Sequence, residues 1–175
     1  STLSIWGPLT FSIWAQRFGP HEATLGDRMS ASLRQWMAQG RAASALDVQA
    51  AMEARTTLFR HVQALFEQYD ALVTPTLACP AISADHDPSG DLVIENRVAG
   101  GLRDGWYPYT HPFNLTGHPA LTVPAGWTRE DLPVGLQFVG PYFSDARLLG
   151  MARTFELRRP WHREYRRLRT LGVGG

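Results

Sequence analysis

The chain contains no lysine, since all 17 of its Lys and Arg residues are arginine. A general base must release its proton near neutral pH, and a guanidinium effectively never does. Catalysis by a lysine base is therefore excluded within these 175 residues.

Cysteine and long apolar runs are also scarce. Cys79 is the only cysteine, which excludes an internal disulfide and a zinc site built from cysteines. One cysteine fits a reducing compartment, so we expect a cytoplasmic location. No run approaches the roughly 18 consecutive apolar residues of a membrane helix, and we predict no membrane span. The first residues lack an initiator methionine and signal-peptide features, and they read like the middle of a longer chain.

The composition is otherwise that of a globular domain. Hydrophobic residues make up 44% and charged residues 19% of the chain, which is long enough to bury one sizeable core. The net charge of +1 indicates neither a nucleic-acid nor a membrane partner.

Hydrophobic spacing predicts two helices in the first half of the chain. Apolar residues recur every three or four positions over residues 28–39, which predicts an amphipathic helix ended by Gly40. Ser44 and Asp47 resemble a capping box at the start of a second helix over about residues 45–68. The apolar residues 1–20 form either a core element of this fold or a surface that docks on a missing N-terminal portion.

The second half alternates strands with loops. We predict short strands at residues 71–74, 120–124 and 134–139, the last central because both of its faces are mostly apolar. Ser144 is the expected N-cap of a helix that ends before Pro160. This order predicts the α/β class, with a mixed sheet flanked by helices.

We therefore treat the chain as a single segment with four parts. These are mainly helical residues 1–68, strands and a long loop over 69–143, a helix over 144–157 and a basic tail over 158–175. The loop covers residues 77–106, is punctuated by Gly and Pro, and offers one short strand at 91–97.

Two motifs resemble the C-terminal part of the amidase-signature hydrolases, a family related to the tRNA-dependent amidotransferases. They occupy residues 112–124 and 132–140. The matching positions are Phe113, Asn114, Thr116, Gly117, Pro119, Ala120, Pro124, Gly135, Gln137 and Gly140. Residues 66–76 and 144–156 also resemble family segments, so the resemblance covers roughly residues 29–163.

The resemblance implies hydrolysis of carbon–nitrogen amide bonds by a serine, a second serine in a cis peptide and a neutral lysine. Those groups lie upstream of the matched region, and the sequence contains no Gly-Gly-Ser or Ser-Ser pair. No catalytic residue carries over, no cofactor is implied, and we expect the chain alone to be inactive.

The resemblance also implies that Tyr107, Tyr109 and Phe113 line the substrate pocket, although core packing is an alternative. The related amidotransferases tend to carry an acidic residue near the position of Tyr107, so an aromatic residue there favours an apolar small-molecule amide over glutamine. Asn114 and Thr116 are expected to bond their own backbone and shape a sharp turn before Gly117.

Other sites are weaker. If Gln137 is buried in its apolar strand, it needs hydrogen-bond partners, which favours a structural role. A metal site around residues 85–91 is disfavoured because such Pro- and Gly-rich stretches usually form solvated loops. A self-contained Ser-His-Asp triad lacks the Gly-x-Ser-x-Gly elbow. Arginines alternate with aromatics over residues 158–169, but we expect a solvated tail there and no nucleic-acid partner.

A function of a different class stays open. The chain could be a non-catalytic interaction or ligand-binding module derived from an amidase, binding through an exposed apolar face. Its expected partners are the missing N-terminal portion of the same protein or a second copy of this chain.

Overall fold

A computed structural model describes residues 2–88 and 90–164 of the chain, and the predicted α/β class is confirmed. The α-helices are α1 (Leu3–Phe18), α2 (Glu22–Leu25), α3 (Ala31–Ala42), α4 (Ala45–Leu65), α5 (Leu102–Gly105), α6 (His111–Thr116) and α7 (Asp145–Arg158). The strands are β1 (Leu72–Pro75), β2 (Leu92–Ile94), β3 (Arg97–Gly100), β4 (Ala120–Trp127) and β5 (Pro133–Val139). Short 3-10 turns cover Gly19–His21, Gly26–Arg28 and Trp161–Glu164. Residues 165–175 of the predicted basic tail lie outside the described residues.

The apolar opening segment folds as helix α1, which packs against α3 and α4. Gly40 is buried where α1 and α3 meet, and a Cβ at this position would overlap the Phe11 carbonyl. The prediction that Gly40 ends the helix is therefore wrong, since α3 continues to Ala42. The glycine is needed for close approach of two backbones, which hydrophobic spacing within one helix does not reveal.

Helix α4 begins with the predicted capping box. The Ser44 hydroxyl accepts the Asp47 amide N–H at 3.2 Å, and the Asp47 carboxylate accepts the Ser44 amide N–H at 2.8 Å. Hydrogen bonds from the Ser44 hydroxyl and then the Ser44 amide lower the pKa of Asp47. The helix ends at Leu65, three residues before the predicted end.

The three-stranded sheet has the order β1-β5-β4, with every pairing antiparallel. Strand β5 is central, as predicted. In register, Gln137 of β5 lies between Thr74 of β1 and Thr122 of β4. Strands β2 and β3 form a separate hairpin inside the predicted long loop. The loop prediction missed this hairpin because β2 has only three residues and β3 only four.

Helix α7 covers one end of the sheet and ends before Pro160, as predicted. Its Leu148 and the β5 residue Val139 are both fully buried. Ser144 precedes the helix, but its side chain accepts no amide hydrogen bond, so the predicted N-cap is wrong. Its backbone has φ −98° and ψ 23°, outside the extended region from which a serine caps a helix.

Candidate functional site

A groove of about 230 Å³ lies between α1, α3 and the segment around α5. Phe11, Trp36 and Tyr107 supply aromatic surface to its walls, and Gln39 and Arg103 supply polar groups. A wider groove of about 480 Å³ adjoins it and shares Phe11 and Gln39. The two grooves form one concave, aromatic surface over the helical half of the chain.

Arg103 is surrounded by the rings of three tryptophans. Its guanidinium carbon lies 4.9 Å from the ring centroid of Trp36, 5.5 Å from that of Trp14 and 5.7 Å from that of Trp6. Trp36 and Trp14 also pack on Phe11 and on each other, with centroids 5.3–6.1 Å apart. A permanent cation is thereby held against the negative faces of aromatic rings.

His111 is buried beside this cluster. Its ring stacks on Trp6 at 5.1 Å and meets the edge of Tyr107 at 5.3 Å. Neither ring nitrogen has a hydrogen-bond partner among the described residues. Burial, and then the positive charge of Arg103, lower the pKa of His111, so its ring is held in the neutral form.

The three residues expected to form pocket walls occupy different places. Tyr107 lines the smaller groove. Tyr109 is 39% exposed, and its carbonyl accepts a hydrogen bond from Gln137. Phe113 is half-buried within α6. Of these three, only Tyr107 is among the described lining residues of the groove.

The Asn-x-Thr-Gly motif forms a short helix with a left-handed end. Asn114 donates to the Thr110 carbonyl at 3.0 Å inside α6, and Gly117 follows at φ +72°, a conformation that favours glycine. Asn114 thus bonds to the backbone as expected. Thr116 bonds instead to the ring of His118, at 2.8 Å from Nδ1.

His118 joins this motif to helix α4. Its Nε2 lies 3.0 Å from the Gln63 side-chain oxygen, which complements the bond of Nδ1 to Thr116. The ring stacks on Phe59 at 5.1 Å, and the edge of Tyr142 approaches it at 5.9 Å. Burial lowers the pKa of His118, so the neutral ring is the form that the fold holds.

Gln137 connects three parts of the chain. Its side-chain amide donates to the Thr74 hydroxyl and to the Tyr109 carbonyl, each at 3.0 Å, while the residue itself is 4% exposed. The bonds attach the segment before α6 to the middle of the sheet. A buried amide in an apolar strand requires such partners.

Other chemistry finds little support. Within residues 2–88 and 90–164 there is no group of three or more His, Cys, Asp or Glu side chains placed to hold a metal ion. Burial raises the pKa of the Cys79 thiol, which disfavours the reactive thiolate. In the part of the chain that the structure describes, no helix has the length and hydropathy needed to cross a bilayer.

Sequence reasoning did not identify Arg103, His111 or His118 as parts of the site. Their surroundings come from residues far away in the sequence, such as Trp6 beside His111 and Gln63 beside His118. Trp6 and Trp14 do recur at a helical spacing, but nothing in the sequence shows that Arg103 lies between them.

The comparisons with known proteins agree on one family. The Amidase family profile matches residues 12–149. A protein of the glutamyl-tRNA(Gln) amidotransferase from Neisseria meningitidis serogroup C is 41% identical over 102 residues, covering 57% of this chain and 19% of its own length. AmiA2 of Mycobacterium bovis, itself a candidate amidase, is 30% identical over 162 residues, covering 92% of this chain and 30% of its own length.

Solved structures resemble the chain over nearly its whole length. A crystal structure of an amidase superimposes with a TM-score of 0.81 at 25% identity, covering 90% of this chain and 35% of the other. A bacterial aryl acylamidase of the amidase signature family superimposes with a TM-score of 0.77 at 25% identity, covering 94% and 35%. The chain thus spans about a third or less of the relatives that it matches.

Proposed function

Because the chain belongs to the amidase family, we propose that it forms the C-terminal portion of an enzyme that hydrolyses carbon–nitrogen amide bonds. The observation that carries this proposal is the family match over residues 12–149, which includes the sheet and most of the helical half. In the intact enzyme this portion contributes core structure and part of the substrate pocket.

The catalytic groups, under this proposal, come from a region outside the present sequence. A serine nucleophile of this family is activated through a second serine and a neutral lysine, and the chain has neither a lysine nor paired serines. Its arginines remain charged and supply no base. The chain alone is therefore inactive, and its partner is the N-terminal portion of the same protein.

The substrate we favour is an amide with an apolar or aromatic body. Tyr107 lines a groove whose other walls include Phe11 and Trp36, so its lining suits a flat apolar group. An aryl acylamidase is among the structural relatives, which supports this choice. The amidotransferase proteins are relatives as well, but an aromatic residue at position 107 disfavours glutamine.

The upstream coding sequence tests the proposal. We expect an open reading frame that continues upstream of Ser1 and encodes a lysine followed, roughly 75 residues later, by paired serines between glycines. The longer polypeptide should hydrolyse 4-nitroacetanilide and should lose this activity when the lysine is changed to alanine. A longer reading frame without the lysine and the paired serines would contradict the proposal.

The interaction-module alternative is favoured by one observation. Many large apolar side chains are solvent-exposed, among them Phe143 (88%), Leu46 (80%) and Val98 (70%). Such groups are usually covered by a partner. Light scattering on the purified chain separates two occupants: a stable dimer would indicate a second copy, and a monomer would favour the missing N-terminal portion.

A further inference from the structure

We propose that the smaller groove is a binding site for a small aromatic carboxylate, with Arg103 as the cation that recognises the acid group. The site is a property of this chain, and it does not depend on the proposed amide hydrolysis. Three features carry the inference: an arginine without an anionic partner, an aromatic lining and a small volume.

Arg103 lacks an anionic partner. It forms no ion pair and donates no hydrogen bond to the residues that the structure describes, and its buried Nε has no acceptor. The guanidinium stays charged at every physiological pH. A charged fork of this kind, partly removed from water, favours an acceptor with two oxygens in one plane, as in a carboxylate.

The aromatic rings around Arg103 do not replace that acceptor. The faces of Trp6, Trp14 and Trp36 attract the positive charge, but a ring face offers no oxygen lone pair for an N–H group. The tryptophans therefore position the cation and leave its strongest interaction available.

The remainder of the groove suits a flat apolar group. Phe11, Trp36 and Tyr107 line it, and the glutamines Gln35 and Gln39 add side-chain amides. Its volume of about 230 Å³ is less than the 300–1,000 Å³, approximately, of sites for drug-sized ligands. A single ring with a short acidic arm therefore fits the groove better than a peptide or a large cofactor.

Two other titratable groups face the site. Asp104 lines the groove and opposes an anion, which limits the affinity and makes it sensitive to the position of the acid group. His111 is held neutral by burial and contributes no competing charge. Arg103 is thus the permanent cation among the described lining residues.

Titration with phenylacetate, followed by tryptophan fluorescence and calorimetry, tests the site. We expect saturable binding to the wild-type chain and at least about tenfold weaker binding of phenylacetamide, the neutral isostere. Arg103→Gln should weaken phenylacetate binding at least about tenfold and change phenylacetamide binding little. Arg103→Lys should fall between these limits, because it keeps the charge but loses the planar fork.

The matched control is Arg129→Gln, which removes an exposed arginine in the β4–β5 connection and should leave binding unchanged. Far-UV circular dichroism checks that each variant is folded. If Arg103→Gln does not fold, the comparison of acid with amide on the wild-type chain decides the matter. Absence of saturable phenylacetate binding, equal affinity for acid and amide, or unchanged binding by a folded Arg103→Gln variant would overturn the proposal.

Discussion

At the residue scale, two buried histidines with few polar neighbours set the response of the fold to acid. His111 is 2% exposed and His118 is 4% exposed. Burial lowers the pKa of both rings from an ordinary value of 6.5. Both are therefore neutral in the folded chain at pH values where the unfolded chain already protonates them.

This difference gives the stability a defined pH dependence. As the pH falls below 6.5, the unfolded chain takes up protons that the folded chain excludes, so the free energy of unfolding decreases. The loss continues until the pH reaches the lowered pKa of each folded histidine. Above pH 6.5 both states are mainly neutral at these positions, and this contribution to the pH dependence disappears.

Replacing His118 tests the effect. His118→Gln cannot titrate, so urea unfolding should show a smaller loss of stability between about pH 7.5 and about pH 5.5 than in the wild-type chain. At the higher pH the variant should lose about 1–3 kcal/mol, because the bonds to Thr116 and Gln63 and the stacking on Phe59 are disturbed.

His21→Gln, a change at an exposed histidine, is the matched control for that experiment. If His118→Gln and the wild-type chain lose equal stability between the two pH values, His118 does not contribute to the acid response.

At the element scale, local signals in the sequence predicted helix starts and strands better than helix ends. The capping box at Ser44, the short strand beginning at Leu72 and the central strand β5 follow from nearby residues, and the structure confirms them. Gly40 and Ser144 were misread because their roles depend on a distant backbone or on local backbone angles. For the site, the sequence identified Tyr107, but it could not show that Arg103 lies among three tryptophans.

The contact of α1 with α3 can be tested through two glycines that both lie inside helices. Gly40→Ala places a methyl group against the Phe11 backbone and should destabilise the chain by about 1–3 kcal/mol or more. Gly150→Ala, in α7 with open space around the new Cβ, should instead stabilise it by about 0.5–1 kcal/mol. Chemical denaturation measures both changes, and a stable Gly40→Ala variant would contradict the close helix contact.

At the scale of the whole molecule, the chain combines a complete family resemblance with incomplete chemistry. The helices and the three-stranded sheet superimpose on amidases over 90% or more of the chain. Large apolar side chains nevertheless lie exposed on α4, on β3 and just before α7. These faces agree with the proposal that this portion packs against a region that carries the nucleophile and its base.

The measurement that tests this account most directly is amide hydrolysis by the purified 175-residue chain. With 4-nitroacetanilide as substrate, release of 4-nitroaniline should proceed at the rate of the buffer alone, because neither a lysine nor a serine pair is present. Saturable hydrolysis that co-purifies with the folded chain would contradict the account, since the chain would then contain a reaction centre of its own.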